Sequence, residues 1–159
     1  MTKNMPDDSK QYHTEDIILI LSKLPEFLRK SMMRSRLQEF CAKDSKTREE
    51  FIDSILGGIS TADKDSLKKV IRTWLGVVST LESSEMSTIF SSYIKRYEKD
   101  PSLCESEYFA ILLEAYQSLE ENQRAILRDC LVEVVLNQHR SRWIVCTLPK
   151  KVRSALQLR

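Results

Sequence analysis

"SLKKVIRTWLGVVSTL", residues 66–81, carries Leu67, Val70, Ile71, Trp74, Val77, Val78 and Leu81 at steps of three and four. An α-helix turns once in 3.6 residues, so this spacing gathers the seven side chains on one face. It is the clearest stripe in the chain, and it sets the expectation of an all-α protein.

The same period continues downstream. Met86, Ile89, Phe90, Tyr93, Ile94 and Tyr97 form a second stripe, ended by "EKDP". Ser102 and Glu105, at capping-box spacing, precede a third stripe of Tyr108, Ile111, Leu112, Ala115 and Leu119. Ile126, Leu127, Cys130, Leu131, Val134 and Val135 make a fourth. The Ser/Thr residues between Ser79 and Ser92 alternate with the core stripe and predict a cap at Ser83 or Ser84.

Upstream, "TREEFIDSILGG" predicts a helix with a box at Thr47 and Glu50, with Phe51, Ile52, Ile55 and Leu56 buried and a stop at Gly57 and Gly58. Before it, Pro25 is placed as the first residue of a helix with two apolar faces, Leu28 with Met32 and Met33 with Leu37, Phe40 and Cys41. Such a helix should touch two neighbours. "TEDIILILSKL" reads as a helix starting at Thr14, with a buried strand as the alternative. "WIVCTL", residues 143–148, is strand-like in composition and could be an extended link or a continuation of the preceding helix.

The chain has 159 residues, with only three Gly and four Pro. That length supports one domain with its own core, and the composition favours helix. We therefore expect a single all-α domain of seven to eight helices, an irregular helical bundle or stacked helical hairpins. Residues 1–13 should be a flexible lead, 14–138 the helical core and 139–159 a basic C-terminal segment with a short amphipathic helix. No apolar run is long enough for a membrane span, and the four cysteines include no CxxC, so a soluble cytoplasmic protein with reduced thiols is expected.

"LPEFLRKSMM" (24–33) and "LPKKVRSALQLR" (148–159) share Leu-Pro, three residues and Arg. "LEENQRAIL" keeps Leu119 and Arg124 at the same separation, and "LESSEMSTI" at Leu81 keeps the apolar places with Met86 where the Arg would be. Starts at 24, 81, 119 and 148 follow no fixed period, so these are read as helix starts braced by a hydrophobic staple, not as repeat units.

The function classes narrow in the same way. The two histidines, His13 and His139, have no catalytic company, and no phosphate loop, nucleophile elbow or HExxH occurs. No enzyme activity, cofactor or metal is expected. A Cys/His metal site at Cys104, Cys130, His139 and Cys146 is a distant alternative, since no close ligand pair occurs. "SILGGISTADKDSLKKVIRTW" has a helix-turn-helix outline, but Asp63 and Asp65 would meet phosphate with like charge.

Charge is unevenly spread. Net charge is only +2, yet residues 139–159 hold six Lys or Arg and no acid, while residues 82–133 hold eleven acids and five bases. Arg140, Arg142, Trp143, Lys150, Lys151, Arg153 and Leu156 are therefore the candidate binding residues, with Arg29, Lys30, Arg34 and Arg36 as a second cluster that could join them. The expected role is a non-enzymatic adaptor or regulatory domain with the C-terminal segment as candidate docking element, its amphipathic helix lying on another protein or on the chain's own core. Nucleic acid, held through phosphate, is the alternative partner. A second copy of the chain is a further candidate, and a membrane is not.

Overall fold

The computed structural model describes residues 14–158, so the expected flexible lead (1–13) and Arg159 lie outside the described residues. Nine α-helices are present: α1 (Thr14–Lys23), α2 (Glu26–Ala42), α3 (Ser45–Ile59), α4 (Lys64–Val78), α5 (Ser83–Lys99), α6 (Glu107–Gln117), α7 (Glu121–Leu136), α8 (Ser141–Thr147) and α9 (Lys150–Ala155). A 3-10 turn, Pro101–Glu105, leads into α6, and there is no strand among the described residues. The helix count exceeds expectation because residues 143–147 are helical. Ile144 is only 1% exposed, and burying it as part of a helix satisfies backbone groups that an extended link at that depth would strand.

The leading stripe behaves as its spacing requires. Leu67, Val70, Ile71, Leu75, Val77 and Val78 are buried, with α4 packed against α1, α2 and α6. Its other face is exposed and carries Lys64, Asp65, Lys68, Lys69 and Arg72. Trp74 is half-buried at the edge of the stripe, its ring edge-on to Tyr93 at 5.6 Å.

Helices two places apart in the chain pack together: α1 on α3, α2 on α4, α3 on α5, α4 on α6 and α5 on α7. Helices three places apart also pack, α1 on α4 and α2 on α5, while chain neighbours from α1 to α7 do not pair as hairpins, so this is an interleaved all-α bundle. A period is present after all, in the helix starts. α3, α5 and α7 begin at residues 45, 83 and 121, and α2, α4, the 3-10 turn and α8 begin at 26, 64, 101 and 141. The spacing between corresponding helices is therefore close to 38 residues. Polar contacts between layers keep register: Ser22 with Ser66, Arg29 with Thr73 and Arg48 with Ser92 all link residues 44 apart.

Several helix ends differ from expectation. Asp44, not Thr47, caps α3, its carboxylate accepting from the Thr47 N–H at 2.8 Å. Glu82 precedes α5, with Glu85 accepting from the Glu82 N–H, in place of a Ser83 or Ser84 cap. Ser106 caps α6 because residues 101–105 form the 3-10 turn. Pro25 and Pro149 stand one residue before their helices, each carbonyl accepting the first intrahelical N–H bonds. α3 runs through Gly57 and Gly58 to Ile59. Gly58 serves close approach: a Cβ there would collide with the Thr14 side chain of α1, whereas Gly57 faces open space.

Two burial expectations also change. Phe51 is 50% exposed, its ring leaning on Phe40 at 5.8 Å. On α2, Met33, Leu37 and Phe40 are buried, but Leu28 and Met32 are 41% and 44% exposed. Only one of the two apolar faces is packed, because α4 and α5 both lie on the Met33 side.

Candidate functional site

The C-terminal segment is anchored by apolar side chains and turns its charge outward. Ile144 of α8 and Val152 and Leu156 of α9 are buried. The Tyr97 hydroxyl of α5 donates to Thr147 Oγ1 at 3.0 Å, tying α8 to the body. Leu156 thus faces the core, where it lines an apolar cavity of about 210 Å³, and is not a surface contact for a partner.

Arg140, Arg142, Lys150 and Lys151 are exposed, and none forms an ion pair among the described residues. Arg142 lies on α8, with Arg140 just before it, and Lys150 and Lys151 lie in the first turn of α9. Arg140 is partly committed: its guanidinium lies 4.3 Å from the centroid of the Trp143 ring, a cation–π contact. Trp143 also leans on Tyr97 at 6.4 Å, so the candidate stacking aromatic is covered from two sides. Arg153 is half-buried, and its Nε has no acceptor among the described residues.

The second basic cluster is engaged within the fold. Lys30 pairs with Glu26 at 3.1 Å, Arg36 with Glu39 at 3.2 Å, and Arg34 donates to Thr80 Oγ1 at 2.8 Å. Arg29 is a structural strut. Its Nη1 donates to the Leu24 carbonyl at 3.0 Å and its Nε to Thr73 Oγ1 at 2.9 Å. No hydrogen bond or ion pair among the described residues links this cluster to α8 or α9.

Arg29 has counterparts that composition alone does not single out. Arg48 donates through Nη1 to the Lys43 carbonyl at 2.6 Å and through Nε to Ser92 Oγ at 3.1 Å. Arg124 donates to the carbonyls of Leu119 at 2.5 Å and Gln117 at 3.1 Å. In each case an Arg at the fourth helical residue reaches a carbonyl five residues back, at the frayed end of the preceding helix, where carbonyls lack intrahelical donors. The Leu-x4-Arg echo in the sequence is this clasp. Arg153 holds the same helical position, at the fourth residue of α9, without those bonds.

The four residues of the distant metal alternative do not converge. Cys130 lies against Ser87 (3.7 Å), Cys104 is in the 3-10 turn, and His139 and Cys146 are exposed. Among the described residues, no three His, Cys, Asp or Glu side chains could hold a metal ion. Burial pushes the Cys104 thiol up to about 11, which keeps it protonated and a poor nucleophile near neutrality. No described helix is long and apolar enough to cross a membrane.

No protein-family model matches the chain, and no curated protein or solved structure is significantly similar to it. The class defined here is therefore structural, an all-α helical bundle with exposed bases on its C-terminal segment.

Proposed function

We propose that the chain is a non-enzymatic interaction domain that docks an acidic segment of another protein on the exposed bases Arg142, Lys150 and Lys151, with Arg140 as a lesser contributor. The observation that carries this reading is that these bases are exposed and unpaired, while those of α2 have partners within the fold. Phosphate of a nucleic acid is the second reading, since the same bases would neutralise it. The covered state of Trp143 argues against stacking on bases.

Fluorescence anisotropy separates the two. Labelled oligoglutamate, duplex DNA and single-stranded RNA are titrated with the full chain and with Arg142→Glu/Lys150→Glu/Lys151→Glu at low and physiological salt. The expected result is salt-dependent binding of oligoglutamate that falls at least about tenfold in the triple variant, with an unchanged Tm. Much tighter capture of DNA or RNA, lost in the same variant, would replace the acidic protein with nucleic acid. Affinity unaffected by the reversals, or no salt-dependent binding of any probe, would overturn these bases as the site.

A further inference from the structure

The cavity of about 210 Å³ lies between α4, α5, α6 and α7 and is bounded on one side by the C-terminal helices. Trp74, Tyr93, Tyr108, Leu131, Val152 and Leu156 contribute to a wall that is almost wholly apolar. The cavity is a part-open apolar recess bounded by these helices, not a sealed void. An apolar cavity of roughly 150 Å³ is enough to take up benzene, so this one has room for a ring with two or three further non-hydrogen atoms. Water is a poor filler here, because it needs two to four polar partners and the wall offers few.

The polar atoms on the wall are unequal. The Tyr97 and Tyr116 hydroxyls are satisfied, donating to Thr147 Oγ1 at 3.0 Å and to the Arg124 carbonyl at 3.3 Å. Arg128 lies beside Asp129, Nε to Oδ1 3.7 Å. Tyr93 and Tyr108 are half-buried, and their hydroxyls have no hydrogen-bond partner among the described residues and stay accessible, free to meet a guest. Burial raises the pKa of both, to about 12 for Tyr108, and the nearness of Tyr108 adds to the shift at Tyr93. Both therefore keep their protons near neutrality.

We infer that the cavity is a binding site for a small neutral lipophile with one hydrogen-bonding oxygen, such as a short-chain alkylphenol, its apolar body against Trp74, Leu131, Val152 and Leu156 and its oxygen on the Tyr93 and Tyr108 hydroxyls. A neutral head group fits because a charged one would lose its hydration in a wall with no free counter-charge beside the two phenols. This site faces inward from the exposed bases and stands or falls independently of them.

The test compares 4-ethylphenol with ethylbenzene, two probes of matching shape that differ in the hydroxyl. Both are titrated by calorimetry, with Tm as a second readout, against the full chain and against Tyr93→Phe/Tyr108→Phe, which preserves ring packing. The expected result is that 4-ethylphenol binds about tenfold more tightly than ethylbenzene, a ratio that collapses towards one in the double variant while ethylbenzene binding is retained. Equal affinity of the two probes, or a preference that survives in the double variant, would overturn the assignment of the oxygen to these hydroxyls. No binding of either probe at millimolar concentration would overturn the site itself.

Discussion

Replacing Ile144 by Ala lowers the stability of the whole chain by about 2–5 kcal/mol, the range for truncating a well-packed buried aliphatic side chain. The cause is location: Ile144 is 1% exposed and belongs to the same apolar cluster as Val78 and Ile89. A residue embedded in that cluster is coupled to α4 and α5, so unfolding should remain one transition, with Tm falling by roughly 2–4 °C for each kcal/mol lost. Cys146 on the same short helix is exposed, and Cys146→Ala should change stability by no more than about 0.5 kcal/mol. Thermal denaturation of the two variants checks the contrast. A separate early transition in Ile144→Ala, with the main transition unmoved, would show that α8 is not part of the cooperative unit.

The second large effect concerns the arginine clasps. Arg29→Met and Arg48→Met should each cost about 1–3 kcal/mol, because each removes charge-assisted bonds to a helix-end carbonyl and to a half-enclosed hydroxyl while leaving the acceptors in place. Lysine should rescue little. The fork of a guanidinium reaches a carbonyl and a hydroxyl together, and a single ammonium on a flexible stem does not hold that geometry. Since the acceptors are neutral, the loss should persist at high salt, where a surface ion pair such as Arg36 with Glu39 is screened. Denaturant titrations of the Met and Lys variants at two salt concentrations read all three expectations. Unchanged stability in Arg29→Met would return that residue to the candidate binding surface.

These variants also show where sequence reading stopped. The helices themselves were legible, because each long one has a stripe at a spacing only a helix can use, and α4 buries its stripe as expected. Helix ends were less legible. Thr47 and Glu50 have the spacing of a capping box, yet Asp44 supplies the cap, since a carboxylate just before the helix reaches the same N–H. Gly57 and Gly58 suggested a stop, but the reason for Gly58 is Thr14 of another helix, a neighbour no local pattern contains.

The period was hidden for a related reason. Units of about 38 residues share helix starts more than residue types: Arg48 and Arg124 are in step but Met86 stands between them, Arg29 lies on a helix of the other series, and the carbonyl taken by Arg48 belongs to Lys43 where Arg29 and Arg124 use Leu24 and Leu119. Because a carbonyl is common to every residue, the acceptor leaves no trace in the sequence. The basic character of residues 139–159 was plain from composition. That its bases turn outward while Leu156 turns inward depends on how α9 lies on the cavity.

The central claim is that the exposed bases ride on a folded outer part of the bundle and are not a loose charged tail. Native-state hydrogen–deuterium exchange of the full chain tests it most directly, because exchange reports the opening of each segment. The account predicts that amides of residues 144–148 and 152–156 are protected and gain exchange in step with α7 as denaturant is added. Exchange of those amides at the rate of an unstructured chain, while α4 and α5 stay protected, would contradict it.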